Sequence, residues 1–209
     1  MARKQKTKPV TNDEFRRMVG DARAFLDAAR LVEHHISALN VTPHSTSPIY
    51  GDKGWPSSEV WMSLKTASHF NLQNALELGF KAFLGSVGQS FANTHRLKGL
   101  YSQIPDKEKR KVNALFKKAS EECPAFQLIA LIRSKEPPKG PQNIRLRGLK
   151  EFLEYFDKDV ALWNKRYSWE DTSQEKWTHY LDKLDVFLVF LDKLEALNIE
   201  NWKKTNPDG

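Results

Sequence analysis

Residues 57–85 read SSEVWMSLKTASHFNLQNALELGFKAFLG, and apolar residues recur in them at steps of about three and four. This period matches one face of an α-helix, so the segment predicts a long helix that begins at Ser57 or Ser58. The helix is expected to end at Gly85 or Gly88. Its predicted apolar face consists of Trp61, Leu64, Ala67, Leu72, Ala75, Leu76, Gly79, Ala82 and Phe83.

The preceding part of the chain predicts another long helix. Apolar residues in 15–39 follow the same period, with Asn12 or Asp13 as the N-cap. Residues 1–11 are rich in Lys and Arg and poor in apolar side chains, which predicts a disordered basic tail. Residues 40–56 contain three prolines and two glycines among polar residues, which is typical of a loop.

Shorter elements follow the second long helix. Thr94 is the predicted N-cap of a short helix that Pro105 ends, and Asp106 begins a strongly basic helix. The apolar run Phe126–Ile132 is short enough for a strand. Because no second strand is evident to pair with it, we expect a helix there.

The Pro-rich segment 137–141 is the strongest break in the chain. Beyond it, Leu146, Leu149, Phe152, Leu153 and Phe156 predict another helix. The last helix is expected to open at Thr172, which with Glu175 matches a capping box. Its predicted apolar face consists of Trp177, Tyr180, Leu181, Leu184, Phe187, Leu188, Leu191 and Leu194.

These elements predict an all-α fold, an antiparallel up-and-down helical bundle with extra short helices. We expect a single domain over residues 12–198, with the basic tail before it and a C-terminal tail at 199–209. The sequence has no run of about 18 to 20 apolar residues that could cross a membrane. The single cysteine, Cys123, forms no intramolecular disulfide. A cytoplasmic protein that does not contact membranes is therefore expected.

The net charge of +7 is unevenly distributed. Residues 96–150 hold 14 basic and 5 acidic residues, whereas residues 151–209 hold 8 basic and 13 acidic residues. Two interpretations stay open: the basic segment faces phosphates, or the two parts attract each other or a second subunit. Phosphate-loop, Rossmann and α/β-hydrolase motifs are absent from the sequence. The histidines and the cysteine lack metal-ligand spacing, so we expect neither a metal nor a cofactor.

Two neighbouring segments carry a resemblance to a known family. The first is Asn74-Ala75-Leu76-Glu77-Leu78-Gly79-Phe80-Lys81-Ala82-Phe83-Leu84, and the second is Thr94-His95-Arg96-Leu97-Lys98-Gly99-Leu100. Together they resemble the signature of HEPN domains, a helix containing Glu and Lys four residues apart, then a glycine-containing loop and a short helix. Glu77 and Lys81 lie on one helix face and are expected to pair.

The resemblance implies a helical bundle of four to five helices, often a homodimer, in defence, toxin–antitoxin or RNA-processing systems. It also implies candidate binding residues at the matching positions: Glu77, Lys81, His95, Arg96 and Lys98. RNA or a nucleotide, or alternatively a protein, is the implied partner.

Many HEPN domains are metal-independent ribonucleases that use an arginine and a histidine separated by four to six intervening residues. Arg166 resembles that arginine, but no histidine follows it before His179. His95 is our candidate for the missing group. Arg30 and His35 match the motif literally, in the first helix, and are the second pair of candidates.

Three hypotheses follow from the sequence. The first is a non-catalytic HEPN-like module that binds RNA, a nucleotide or a protein. The second is a HEPN ribonuclease in which Arg166 acts with a relocated histidine, because a titrating group and a permanent cation are what phosphodiester cleavage needs. The third is a structural oligomerisation domain driven by the charge asymmetry.

Overall fold

A computed structural model of the chain describes residues 9–38, 57–92, 94–123, 128–132, 142–144, 148–158, 177–181 and 184–207. In these ranges the helices are α1 (Asn12–Ala38), α2 (Ser57–Ser86), α3 (Leu97–Gln103), α4 (Asp106–Glu122), α5 (Leu149–Lys158) and α6 (Asp185–Thr205). The strands are β1 (Leu128–Ile132), β2 (Gln142–Ile144) and β3 (Trp177–Leu181). Helices dominate, so the predicted all-α class is confirmed for the body of the fold, to which a small sheet is added.

The two long N-terminal helices are confirmed as they were predicted from the spacing of their apolar residues. α1 packs along α2, and α6 packs against both α2 and α4. The start of α1 differs in detail, because the cap is Thr11 instead of Asn12 or Asp13. Thr11 Oγ1 accepts a hydrogen bond from the Glu14 amide at 3.2 Å, and the Thr11 amide donates to Glu14 Oε2 at 2.8 Å, which is a capping box.

Five phenylalanines from three helices form the centre of the core. Their ring centroids lie 5.1–5.7 Å apart in the contacting pairs, mostly tilted or edge-to-face, as aromatic quadrupoles prefer. α4, α5 and α6 are joined through this cluster, which consists of Phe116, Phe152, Phe156, Phe187 and Phe190. The helix predicted to begin at Asp106 and the amphipathic pattern predicted for α5 are confirmed.

α2 and α6 approach each other closely at Gly79. A Cβ atom at this position would lie 3.3 Å from Leu191 Cδ2 and 3.4 Å from Leu194 Cδ2, so only glycine fits without displacement. Asn198 Nδ2 also donates a hydrogen bond to the Gly79 carbonyl at 3.1 Å. This crossing fixes α6 against the part of α2 that carries Glu77.

The last helix corrects the predicted C-terminal boundary. α6 continues to Thr205, so residues 199–205 belong to the helix and not to a tail. Trp202 is buried and stacks on Phe15 with ring centroids 4.2 Å apart, and its Nε1 donates to Asn12 Oδ1 at 3.2 Å. Val10 packs against the same cluster, so the predicted tail at 1–11 is too long at its inner end; residues 1–8 lie outside the described residues.

The antiparallel sheet has the order β2-β1-β3. The prediction of a helix over Phe126–Ile132 is therefore wrong at Leu128–Ile132, which is the central strand; residues 126–127 lie outside the described residues. The helix predicted to open at Thr172 is wrong at Trp177–Leu181, which is a strand, and the described helix begins at Asp185; residues 172–176 lie outside the described residues. Leu128 pairs with Ile144 on one side and Leu181 on the other, partners too distant in sequence to be seen locally.

None of the helices in the described ranges combines the length and the apolar character that crossing a membrane requires.

Candidate functional site

A row of polar residues runs along the buried side of α2. Its members stand four positions apart, so each is the helical neighbour of the next. We call this row the α2 polar row; it consists of Lys65, His69, Gln73, Glu77 and Lys81. The first four are buried and Lys81 nearly so, which is costly unless each polar group has a partner.

The first half of the row is tied to α1. Lys65 Nζ lies 2.6 Å from Glu33 Oε2, and the lysine side chain is 2% exposed. His69 Nδ1 lies 2.8 Å from the Lys65 carbonyl, which only accepts hydrogen bonds, so this nitrogen carries the proton. His69 also tilts against the Phe156 ring at 6.3 Å. These contacts assign His69 a structural role between helices.

The second half of the row converges on one carboxylate. Lys81 Nζ lies 2.6 Å from Glu77 Oε1, which confirms the predicted pairing of these two residues. His95, 18 positions further along the chain, lies with Nδ1 2.9 Å from Oε1 and 3.1 Å from Oε2 of the same carboxylate. The Glu77 side chain is 9% exposed and that of His95 is 61% exposed. A buried anion thus holds an exposed imidazole.

The contact with Glu77 selects the tautomer of His95. A carboxylate accepts hydrogen bonds, so Nδ1 donates and, in the neutral ring, Nε2 carries the lone pair. A histidine oriented in this way presents one defined nitrogen to a ligand, as carboxylate-bound histidines do in catalytic and metal sites. The arrangement suits either a hydrogen bond to a bound phosphate or sugar hydroxyl, or proton transfer.

A second carboxylate fixes the start of α3. Asp157 of α5 accepts hydrogen bonds from the Leu97 amide at 2.7 Å and the Lys98 amide at 2.8 Å. The predicted N-cap Thr94 is therefore wrong: its Oγ1 accepts a hydrogen bond from the Arg96 amide, at 3.1 Å, and the helix begins after Arg96. Burial raises the pKa of Asp157, although the two amides and the nearby Arg96 and Lys98 cations act in the opposite direction.

The exposed side chains of this turn are basic. Arg96 is exposed next to His95, and Lys98 Nζ lies 2.8 Å from Glu154 of α5. The five binding residues that were predicted are therefore brought together in part. Glu77, Lys81 and His95 form one hydrogen-bonded group, whereas Arg96 and Lys98 stand beside it at the start of α3.

The two residues of the literal ribonuclease motif are not brought together. Arg30 pairs with Asp27 at 3.1 Å and with Asp192 of α6, so it joins helices. His35 is exposed, and five positions along one continuous helix place it about 140° around the axis from Arg30. Arg166 lies outside the described residues, so its partnership with His95 stays a prediction.

α4 carries a basic surface along one side, which was not predicted from the sequence. Five of its cations are exposed on the side opposite the buried Val112, Phe116 and Ala119. Counting residues at about 100° each around the helix would have found this signal. We call these five the α4 outer face: Lys107, Arg110, Lys111, Lys117 and Lys118.

Comparisons with models of protein families, with curated proteins and with solved structures give no match to this chain. The resemblance to HEPN domains rests on the residues of the α2–α3 segment alone. Within the described ranges, no three His, Cys, Asp or Glu residues form a group that could hold a metal ion.

Proposed function

We propose that this chain is a HEPN-like helical module that binds RNA at the turn between α2 and α3, in a stress, defence or toxin–antitoxin setting. The observation that carries the proposal is the contact between the buried Glu77 carboxylate and the exposed His95 ring. A side chain held in this way is ready for a ligand without a further loss of rotamer freedom.

The neighbouring groups fit an RNA backbone. Arg96 supplies a permanent cation beside His95, and an arginine fork matches the oxygens of a phosphate. An imidazole accepts a hydrogen bond from a 2′-hydroxyl through Nε2 when neutral, and donates to a phosphate when protonated. The carboxylates that could repel RNA, those of Glu77 and Asp157, are already engaged by Lys81 and by backbone amides.

The test is binding of a short single-stranded RNA, followed by fluorescence anisotropy. His95→Ala and Arg96→Ala are each expected to weaken binding by about tenfold, the usual loss for one charge-assisted contact. His34→Ala and Arg16→Ala are the matched controls, since both residues are exposed on α1. Equal affinities in all four variants would refute the proposed site.

A second candidate, a metal-independent ribonuclease, is supported by the same contact. A carboxylate that orients a histidine through Nδ1 is the arrangement that a general base requires. Incubation of structured RNA with the protein in the presence of a chelator distinguishes the two functions. Cleavage that His95→Ala abolishes and His34→Ala retains would favour the enzyme; intact RNA after prolonged incubation would favour the binding module.

A further inference from the structure

The α4 outer face concentrates positive charge on one side of a helix. Its five cations fall within about 120° of arc around the helix axis. Glu121 is the one acidic residue of α4 in that arc, near the C-terminal end. The remaining cation, Lys109, points elsewhere: it donates to the Ser102 carbonyl at 3.1 Å and lies over the Tyr101 ring.

Most of this charge has no ion-pair partner among the residues that the structure describes. Lys107, Arg110 and Lys118 make no ion pair among the described residues. Lys111 pairs with Glu108 at 2.9 Å, and Lys117 lies 3.8 Å from Glu121 with both side chains well exposed, so the second pair is weak.

The clustering of cations on one side of α4 does not stabilise the helix itself. Lys107 and Lys111 stand at i and i+4, and Lys107 and Arg110 at i and i+3, spacings at which like charges repel. These three cations also lie near the N-terminal end of α4, where the helix dipole disfavours positive charge. An external anion would relieve both effects.

The acidic part of the chain is a poor counterpart for this face. Among the described carboxylates after residue 150, five already have internal partners. They are Glu154, Asp157, Asp192, Glu195 and Glu200. The described part of this acidic segment in a second copy of the chain therefore offers few free carboxylates to meet the α4 outer face.

We propose that the α4 outer face is a docking surface for the phosphates of an RNA duplex. From Lys107 to Lys118 the helix advances about 16 Å, a length along which a nucleic-acid duplex presents several phosphates. Long basic side chains on one exposed helix face contact backbone phosphates without reading bases. The surface goes beyond the proposed site at His95, because it lies on another helix and needs a ligand longer than the turn can hold.

The test compares two triple variants with the same change in net charge. Lys107→Gln/Arg110→Gln/Lys118→Gln removes the three cations of the α4 outer face that make no ion pair among the described residues. Arg16→Gln/Arg17→Gln/Lys150→Gln removes three exposed cations elsewhere. Binding of a 20-base-pair RNA duplex of mixed sequence is measured from 50 to 300 mM salt, with thermal unfolding to verify the fold and sedimentation to follow self-association.

The α4 variant is expected to bind the duplex at least about tenfold more weakly, with a salt dependence shallower by about two to three ions released. The control triple should change affinity less than about threefold. Equal losses in the two triples would overturn the proposal, because only net charge would then matter. Unchanged duplex binding by the α4 variant would also overturn the proposal. A loss of self-association in place of a loss of duplex binding would overturn it as well.

The experiments distinguish a failure of the docking surface on α4 from a failure of the proposed site at His95. The short single-stranded RNA reports on the α2–α3 turn, and His95→Ala is expected to weaken that binding while the α4 triple leaves it within about threefold. Duplex binding that depends on α4 but not on His95 would support the docking surface alone. Dependence on His95 without α4 would overturn the docking surface and leave the proposed function standing.

Discussion

The carboxylate of Glu77, buried in α2, lies 2.9 Å from Nδ1 of His95, and the same oxygen lies 2.6 Å from Lys81 Nζ. The buried pair of Glu77 and Lys81 holds the exposed ring of His95 in place. Glu77 therefore contributes in two ways, to the stability of the helix packing and to the orientation of a candidate ligand contact.

The first prediction concerns this buried pair. Glu77→Ala is expected to lower the free energy of unfolding by about 2–4 kcal/mol, because it leaves the Lys81 ammonium with little solvent and no anion. Glu77→Ala combined with Lys81→Met should be less destabilised than the two single changes added together. Urea unfolding of the four proteins measures the coupling. Additive effects would mean that the two residues do not interact.

The second prediction concerns the start of α3. Asp157→Ala is expected to cost about 1–2 kcal/mol, the usual range for a helix cap, and to speed amide exchange at Leu97 and Lys98. Thr94→Ala should cost less, since among the described residues its hydroxyl accepts one hydrogen bond, from the Arg96 amide. A larger loss for Thr94 than for Asp157 would contradict the assignment of the cap.

The third prediction is a pH dependence at Glu195, which faces Arg23 at 3.2 Å. Burial raises its pKa above the ordinary range near 4.5, although Arg23 opposes the shift. The folded state thus holds this proton more tightly than the unfolded state. The carboxyl contributes most to stability below pH 4.5, and that contribution falls as the pH rises through the raised pKa.

Glu195→Gln removes this titration. Relative to the natural protein, the variant is expected to gain stability between pH 4 and pH 7, as measured by urea midpoints. Glu200→Gln should behave oppositely, because the hydrogen bond from Lys204 lowers the pKa of Glu200. The free energy of unfolding that Glu200 contributes relative to glutamine should therefore decrease as the pH falls. A constant difference at every pH for Glu195→Gln would show that its pKa is not shifted by folding.

The fourth prediction concerns the end of α6. Trp202→Ala removes the stacking on Phe15 and the hydrogen bond to Asn12, and should lower the free energy of unfolding by about 3–5 kcal/mol. Deletion of residues 199–209 is expected to be at least as harmful. Deletion of 207–209 keeps Asn206, which caps the helix through the Trp202 carbonyl; it is the control and should leave the unfolding midpoint nearly unchanged.

The long helices were predictable because their signal is local. The apolar faces of α1, α2, α4 and α5 repeat every three to four residues, and a helix needs no distant partner for its hydrogen bonds. The strand at Leu128–Ile132 was not predictable in this way, because its backbone partners lie at 142–144 and 177–181. The strand has partners, but they do not lie next to it in the sequence.

In the candidate site, too, the contacts within one helix were predictable from the sequence and the contacts between distant residues were not. The pairing of Glu77 with Lys81 follows from helix geometry and was predicted. The contact of His95 with Glu77 spans 18 positions, and the Asp157 cap of α3 spans 60, so both depend on how helices pack. The burial of Trp202 escaped prediction for the same reason, since its partner Phe15 lies at the other end of the fold.

That pairing of Phe15 with Trp202 has a topological consequence. The first turn of α1 and the last turns of α6 are joined by ring stacking and by the hydrogen bond from Trp202 to Asn12. The two ends of the helical body therefore lie side by side. A short linker could connect them in a circular permutant opened at another surface position, and tags fused at either end would leave the body from the same side.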